Sequence, residues 1–183
     1  MDDGIATGPT AAMVSRMKTH EPWDVREPAT IIDEALRRRR PRSGDVLVAL
    51  VQSGDDPDQA LVNVVRAHRG GLPGRHEASD LLRTQAEAMV GERPWVDGGW
   101  MPPRHVLMTV VCRSGRVVPG PEELFWLLAW RYSNHFAAAY NGDVYLVTEH
   151  GWTGCIDERA GFTPALQARP RHLAVHRPGG QEP

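Results

Sequence analysis

The chain has 183 residues and a formal net charge of −2, with 41% hydrophobic and 24% charged residues. These values are typical of a soluble globular protein and argue against a surface that is basic all over, as a general nucleic-acid binder would need. No stretch approaches the roughly 18 continuous apolar residues of a membrane span. The opening MDDGIATGPT lacks the apolar core of a signal peptide. The sequence therefore predicts a cytoplasmic protein.

Residue usage carries little functional information. The chain has one lysine, Lys18, and 20 arginines. This preference for arginine over lysine, with abundant alanine, glycine, proline and valine, indicates a bacterial genome rich in G and C. Arginine content is therefore discounted as a sign of function. Cys112 and Cys155 form no metal-binding spacing and are expected to be thiols in a reducing compartment. No metal and no cofactor is predicted.

Composition also predicts the domain organisation. Residues 1–20 are small and polar, and residues 171–183 are rich in proline, glycine and arginine, so both segments are predicted to be tails. Residues 21–170 are predicted to form a single layered domain.

The first half of that region predicts one helix and two strands. ATIIDEALRRRR has an apolar helical stripe, with Thr30 as the expected N-cap and Pro41 after its end. DVLVALVQ, residues 45–52, predicts a buried strand. ALVNVVRAH, residues 60–68, could be helix or strand, and its valines favour a strand paired with the preceding one.

The second half predicts two helices and at least one strand. ASDLLRTQAEAMVG, residues 78–91, predicts a helix capped by its final glycine. Residues 92–104 are predicted to be a loop, with a mobile DGGW segment. HVLMTVVC, residues 105–112, predicts a strand. The helix beginning at Pro121 is apolar on nearly every side from Leu124 to Trp130, which predicts burial. Together these elements predict an α+β or α/β fold, with a mixed sheet of four to five strands and two to three packed helices.

An Asn-Gly step at residues 141–142 is the strongest local turn signal in the chain. Between two apolar runs it predicts a type I′ hairpin, in which His135 would lie opposite Thr148 and Asn134 near Glu149. The alternative keeps 136–140 as a loop between a helix and a parallel strand. The carboxyl ends of the two strands would then meet beside the helix N-terminus and bring together Arg113, Ser114, Arg116, Glu149 and His150.

The hairpin places groups suited to acid–base chemistry near one another. His135, Glu149 and His150, with Asn134, are candidate catalytic residues of a small hydrolase or nuclease-like enzyme. Candidate residues for binding a polar or anionic substrate are Arg131, Tyr132, Arg113 and Arg116. Adjacent side chains in a strand point to opposite faces, which argues against a metal shared by Glu149 and His150.

A basic run near the first helix supports a different hypothesis, a nucleic-acid-binding regulator. The residues that would contact nucleic acid are Arg37, Arg38, Arg39, Arg40 and Arg42. The same arginines also suit the negative end of a helix dipole, and no nucleic-acid-binding motif accompanies them.

No catalytic or cofactor motif emerges from the sequence. The favoured hypothesis is therefore a small cytosolic accessory or regulatory protein that binds a protein partner and has no chemistry of its own. Such a protein should expose a contiguous apolar surface, whereas an enzyme should gather its histidine and glutamate side chains in a pocket.

Overall fold

The computed structural model describes residues 21–53, 59–91, 95–133 and 139–167. These ranges form three helices, a mixed six-stranded sheet and a small two-stranded sheet, which confirms the α+β class with a larger sheet than predicted. The predicted tails, 1–20 and 171–183, lie outside the described residues. Within the described part of the chain, no helix has the length and apolar character needed to cross a membrane.

The elements follow one another in an order that puts the helices on both faces of the sheet. In chain order they are α1 (Pro28–Arg39), β1 (Asp45–Gln52), β2 (Leu61–Arg69), α2 (Arg75–Val90), β3 (Trp95–Val96), β4 (Gly99–Trp100), β5 (His105–Cys112), α3 (Pro121–Arg131), β6 (Tyr140–Thr148), β7 (Gly151–Gly154) and β8 (Ala160–Gly161). The large sheet has the strand order β2-β1-β5-β6-β7-β8. Strands β5 and β6 are parallel, and every other neighbouring pair is antiparallel.

Each face of the sheet buries its own core, which explains why β1 and β5 are continuous apolar runs. On one face, α1 contributes Ile31, Ile32 and Ala35 to a cluster that contains Leu47 and Met108. The opposite face carries α2 and α3, whose buried side chains pack against the alternate residues of the same strands. That second cluster includes Val46, Val48, Leu50, Leu82, Leu107, Trp126 and Trp130.

Most predicted elements lie where the sequence places them. Residues 60–68 belong to a strand, β2, which pairs antiparallel with β1 as expected. The predicted N-cap of the first helix is wrong, because α1 begins at Pro28, whose fixed φ suits the first helical position. α1 ends before Pro41, with Arg40 in the left-handed region at φ 45°.

The hairpin at Asn141-Gly142 is wrong. Both residues lie inside β6, which runs without a turn from Tyr140 to Thr148 and pairs parallel with β5. The register of β5 and β6 shifts between the pairs Leu107–Asn141 and Thr109–Val144. One β5 residue therefore faces two residues of β6, which is a β-bulge. A Cβ on Gly142 would lie 2.7 Å from Cγ1 of Val106. Glycine is therefore required here for close strand approach rather than for a turn.

A short hairpin forms in the segment predicted to be a loop. Asp97 and Gly98, both with positive φ (49° and 80°), connect β3 to β4. These are the dihedral signs of a type I′ turn, which the Asp-Gly pair favours. Trp95 faces Trp100 across the turn, with ring centroids 5.0 Å apart in an edge-to-face arrangement.

The prediction that the third helix is buried on nearly every side is wrong. α3 ends at Arg131, and two of its leucines are largely open to solvent, Leu124 at 52% and Leu128 at 39%. A helix with apolar residues on every side but a sheet on only one of them must leave some of those residues in water. That exposed face is a feature of the candidate site.

Candidate functional site

An exposed apolar row runs along the outer face of α3. It consists of Leu124, Leu128 and Tyr132, spaced four residues apart, so the three side chains lie one above the other on the helix. Tyr132 caps the helix and is 63% exposed. We call these three residues the α3 row.

The inner face of α3 is fixed, so the helix cannot rotate to bury the row. Trp126 is fully buried, and Trp130, at 3% exposure, donates an indole N–H to Oγ1 of Thr109 at 2.6 Å. At the N-terminus, Glu123 is fully buried and accepts the backbone N–H of Gly120 at 2.6 Å. Three anchors on one face of α3 therefore commit the opposite face to solvent.

A groove of about 780 Å³ lies beside the row, on the neighbouring face of α3. Leu127, Trp130 and Arg131 form its wall on the helix side. The opposite wall is formed by Trp23 and Tyr140, whose rings meet edge to face with centroids 6.4 Å apart. We call this the edge groove, because the first residues of β6 form its floor.

A polar network closes one end of the edge groove. The carboxylate of Asp143 accepts backbone N–H groups from Val144, Ile156 and Asp157 at 2.6–3.0 Å. Burial raises the pKa of Asp143 above its ordinary value, and the three N–H donors offset part of that rise. Asp143 thus holds the turn after β7 in place, and its carboxylate is already occupied.

The predicted catalytic cluster is only partly described. Asn134 and His135 lie outside the described residues. Glu149 and His150 lie in the turn after β6, where Nε2 of His150 is 3.7 Å from Oε1 of Glu149. The Glu149 carboxylate accepts its own backbone N–H and that of Gly115, which lowers the pKa of Glu149. Among the described residues, no group of three metal-ligating side chains converges.

The arginine predicted to bind an anion at the strand ends already has a carboxylate partner. Nε of Arg113 donates to Oε1 of buried Glu123 at 2.8 Å, and its Nη2 donates to the carbonyl of Val118 at 2.9 Å. The hydrogen bond that Arg113 donates to Glu123 raises the pKa of Arg113. Arg116 is exposed, and its carbonyl accepts a long 3.5 Å bond from Arg113. This corner of the fold is an internal ion pair at the start of α3.

The basic run likewise makes contacts within the chain. Arg37 pairs with Asp33 at 3.0 Å, and Arg38 pairs with Glu34. Two guanidinium groups reach carbonyl oxygens of β2, the last strand of the sheet: Arg38 to Val62 at 3.4 Å and Arg39 to Val64 at 2.5 Å. Arg40 caps α1, and the backbone N–H of Arg42 donates to Asp45. Charged side chains that cover a sheet edge hinder edge-to-edge association, which gives this run a structural role.

Of the predicted site residues that the structure describes, Arg131 lies in the edge groove, and Tyr132 belongs to the α3 row. Sequence reasoning missed Leu124, Leu128 and Trp23 as surface residues. The α3 sequence contained a signal that could have revealed the row: from Leu124 to Trp130 it has no polar residue to face solvent.

No protein-family model, curated protein or solved structure matches the chain.

Proposed function

We propose that this protein is an accessory or regulatory protein that binds a protein partner through the α3 row. The observation that carries the proposal is the outward direction of Leu124, Leu128 and Tyr132 on a helix whose other face is anchored by tryptophans. Single exposed leucines are common on protein surfaces, but an aligned row of three apolar side chains is typical of a docking surface.

The chemistry of the row suits a helix-in-groove or flat apolar contact. Burying a leucine fully contributes about 1.5–3 kcal/mol, and tyrosine is among the residues enriched at energetic centres of interfaces. Arg131 is exposed at the carboxyl end of α3, next to the row. A polar group at the margin of an apolar patch is the usual arrangement of an interface.

The other predicted site residues that the structure describes make contacts within the fold, which also supports the proposal. Arg113 and the arginines of α1 are used within the fold, and the Glu149 carboxylate is bound to backbone N–H groups. A partner contact through the α3 row needs none of these residues.

The test is capture of partners by matched variants from an extract of the cells that make the protein. The double variant Leu124→Glu/Leu128→Glu removes the row, and Leu72→Glu is the control because Leu72, at 51% exposure, is as open as Leu124 but distant in sequence. We expect a partner retained by the wild type and by Leu72→Glu but lost with the double variant, while all three proteins melt alike.

Two results would contradict the proposal. One is identical capture by all three proteins. The other is a stable dimer of the purified wild type that Leu128→Glu converts to a monomer in sedimentation experiments, because the row would then be covered by a second copy.

A further inference from the structure

We propose that the edge groove accepts an extended segment of a partner protein, which adds to the sheet as a short strand beside Tyr140–Asp143. This inference goes beyond the proposed function, because it uses a different surface and recognises backbone rather than an apolar row.

The first residues of β6 have an open edge. On the side away from β5, strand β7 pairs only with Tyr145–Thr148, and the last bond across runs from the N–H of Cys155 to the carbonyl of Val144. Among the described residues, no strand pairs with Tyr140–Asp143 on that side. Alternate residues of this four-residue edge, about 13 Å long, can present N–H and carbonyl groups to an added strand.

The edge is open because β7 ends early. β7 would continue along β6 if it stayed in the sheet after Gly154. Instead, the chain turns back after Gly154 to form β8, and the Asp143 carboxylate accepts the N–H groups of Ile156 and Asp157 in that turn. Asp143 therefore fixes the turn that ends β7 before that strand reaches Tyr140–Gly142.

The two walls of the edge groove lie on opposite faces of the sheet. Trp23 and Tyr140 line the groove on the α1 side of the sheet, and Leu127 and Trp130 line it on the α3 side. Alternate side chains of a strand point to opposite faces of its sheet. A segment lying in the plane of the sheet would thus place one apolar side chain against the tryptophan–tyrosine pair and the next against α3.

The edge groove also contains polar groups that a partner segment could pair with. Oδ1 of Asn141 is buried in the groove lining without a hydrogen-bond donor in the described part of the chain. Arg131 lines the groove with an exposed guanidinium, in contrast to Arg159, whose guanidinium donates to Asp157, Val25 and Arg26. The partner segment should therefore carry alternating apolar side chains and an acidic residue near Arg131.

The test begins with a displayed library of random twelve-residue peptides, selected on the purified full-length chain. We expect enrichment of sequences with alternating apolar residues and one Asp or Glu. For a selected peptide, Arg131→Glu should weaken binding by about tenfold or more, and exchanging the peptide's acid for arginine should restore it. Arg83→Glu, on the surface of α2, is the matched charge control and should leave the affinity unchanged.

Backbone recognition has its own signature. Each N-methylation at a peptide amide that faces β6 should weaken binding about tenfold. N-methylation at the amides between them, which face away from β6, should leave the affinity unchanged. Hydrogen exchange at Asn141–Asp143 should slow when the peptide binds. Leu128→Glu should not alter the affinity, which separates this site from the α3 row.

Four outcomes would overturn the inference. They are a selection that enriches nothing, N-methylation tolerated at every position, binding abolished by Leu128→Glu, and self-association of the purified chain that Arg131→Glu abolishes. The last would assign the groove to a second copy.

Discussion

The hydroxyl of Tyr145 donates a 2.7 Å hydrogen bond to Oδ2 of Asp157 and so joins β6 to the turn that follows β7. The same carboxylate oxygen accepts Nε of Arg159 at 2.8 Å, and the guanidinium of Arg159 continues to the carbonyls of Val25 and Arg26. Three separate segments are thereby held together at one end of the edge groove. Burial, reinforced by Asp157, raises the pKa of Tyr145, so the phenol stays protonated.

Tyr145→Phe should lower the free energy of unfolding by about 1–3 kcal/mol, because the partly buried carboxylate of Asp157 loses a donor. Tyr132→Phe is the control, since Tyr132 is 63% exposed. Urea denaturation of both variants measures the difference. Equal stability of Tyr145→Phe and wild type would mean that the hydroxyl does not hold these segments together.

Gly142→Ala should destabilise the protein by about 1–3 kcal/mol, the cost of overpacking a close contact. The added methyl would lie 2.7 Å from Cγ1 of Val106 and 3.0 Å from the carbonyl oxygen of Leu107. Gly142→Val should cost more for the same reason. Gly71→Ala is the matched control, because nothing lies within 4 Å of a Cβ at that position. If the two alanine variants melted together, β5 and β6 could not be as close at the bulge as described.

The Asn-Gly step shows why local signals could predict the elements but not all of their connections. The same turn chemistry fits Asp97-Gly98, where a hairpin forms, and Asn141-Gly142, where none forms. The difference is tertiary: β6 returns from α3 parallel to β5, and it begins at Tyr140 opposite Val106. The Asn-Gly pair is thus used inside the strand, and the bulge accommodates it.

The candidate site was less predictable than the fold. The apolar pattern of β1, β5 and α2 reports burial directly, and those elements lie where the sequence places them. Between Leu124 and Trp130 every face of α3 is apolar, so the packing of Trp126, Trp130 and Glu123 decides which leucines meet water. The walls of the edge groove, Trp23 and Leu127, are more than a hundred residues apart, and no local pattern brings them together.

Arg113→Met should destabilise the protein by about 3–5 kcal/mol, because it leaves the carboxylate of Glu123 buried without its cation. The Glu123 side chain is fully buried, and that of Arg113 is 24% exposed. Arg83→Met provides the comparison: it removes a surface pair with Asp80 and should cost no more than about 1 kcal/mol. Thermal and urea denaturation test both. A loss in Arg113→Met no larger than that of the control would show that the pair contributes little to stability.

Cys155 should react slowly with thiol reagents at neutral pH. Burial, together with Asp143, raises the pKa of Cys155 to about 12 from an ordinary value of 9.0. Since the thiolate is the reactive form, labelling in the folded protein should be at least about tenfold slower than in denaturant at pH 8. The rate should rise as pH increases towards that pKa. Cys155→Ser identifies the contribution of Cys112. Fast labelling of folded Cys155 at pH 7 would contradict the described burial.

The measurement that tests the central claim most directly is photo-crosslinking inside the cells that make the protein. A benzophenone amino acid replaces Leu128 in the α3 row, and in a second variant it replaces Leu72, which is exposed in the loop between β2 and α2. The α3 row as a docking surface predicts a discrete crosslinked product of higher mass from position 128 and none from position 72. The absence of a product at position 128, the same products at both positions, or a product of two 20.3 kDa chains alone would contradict it.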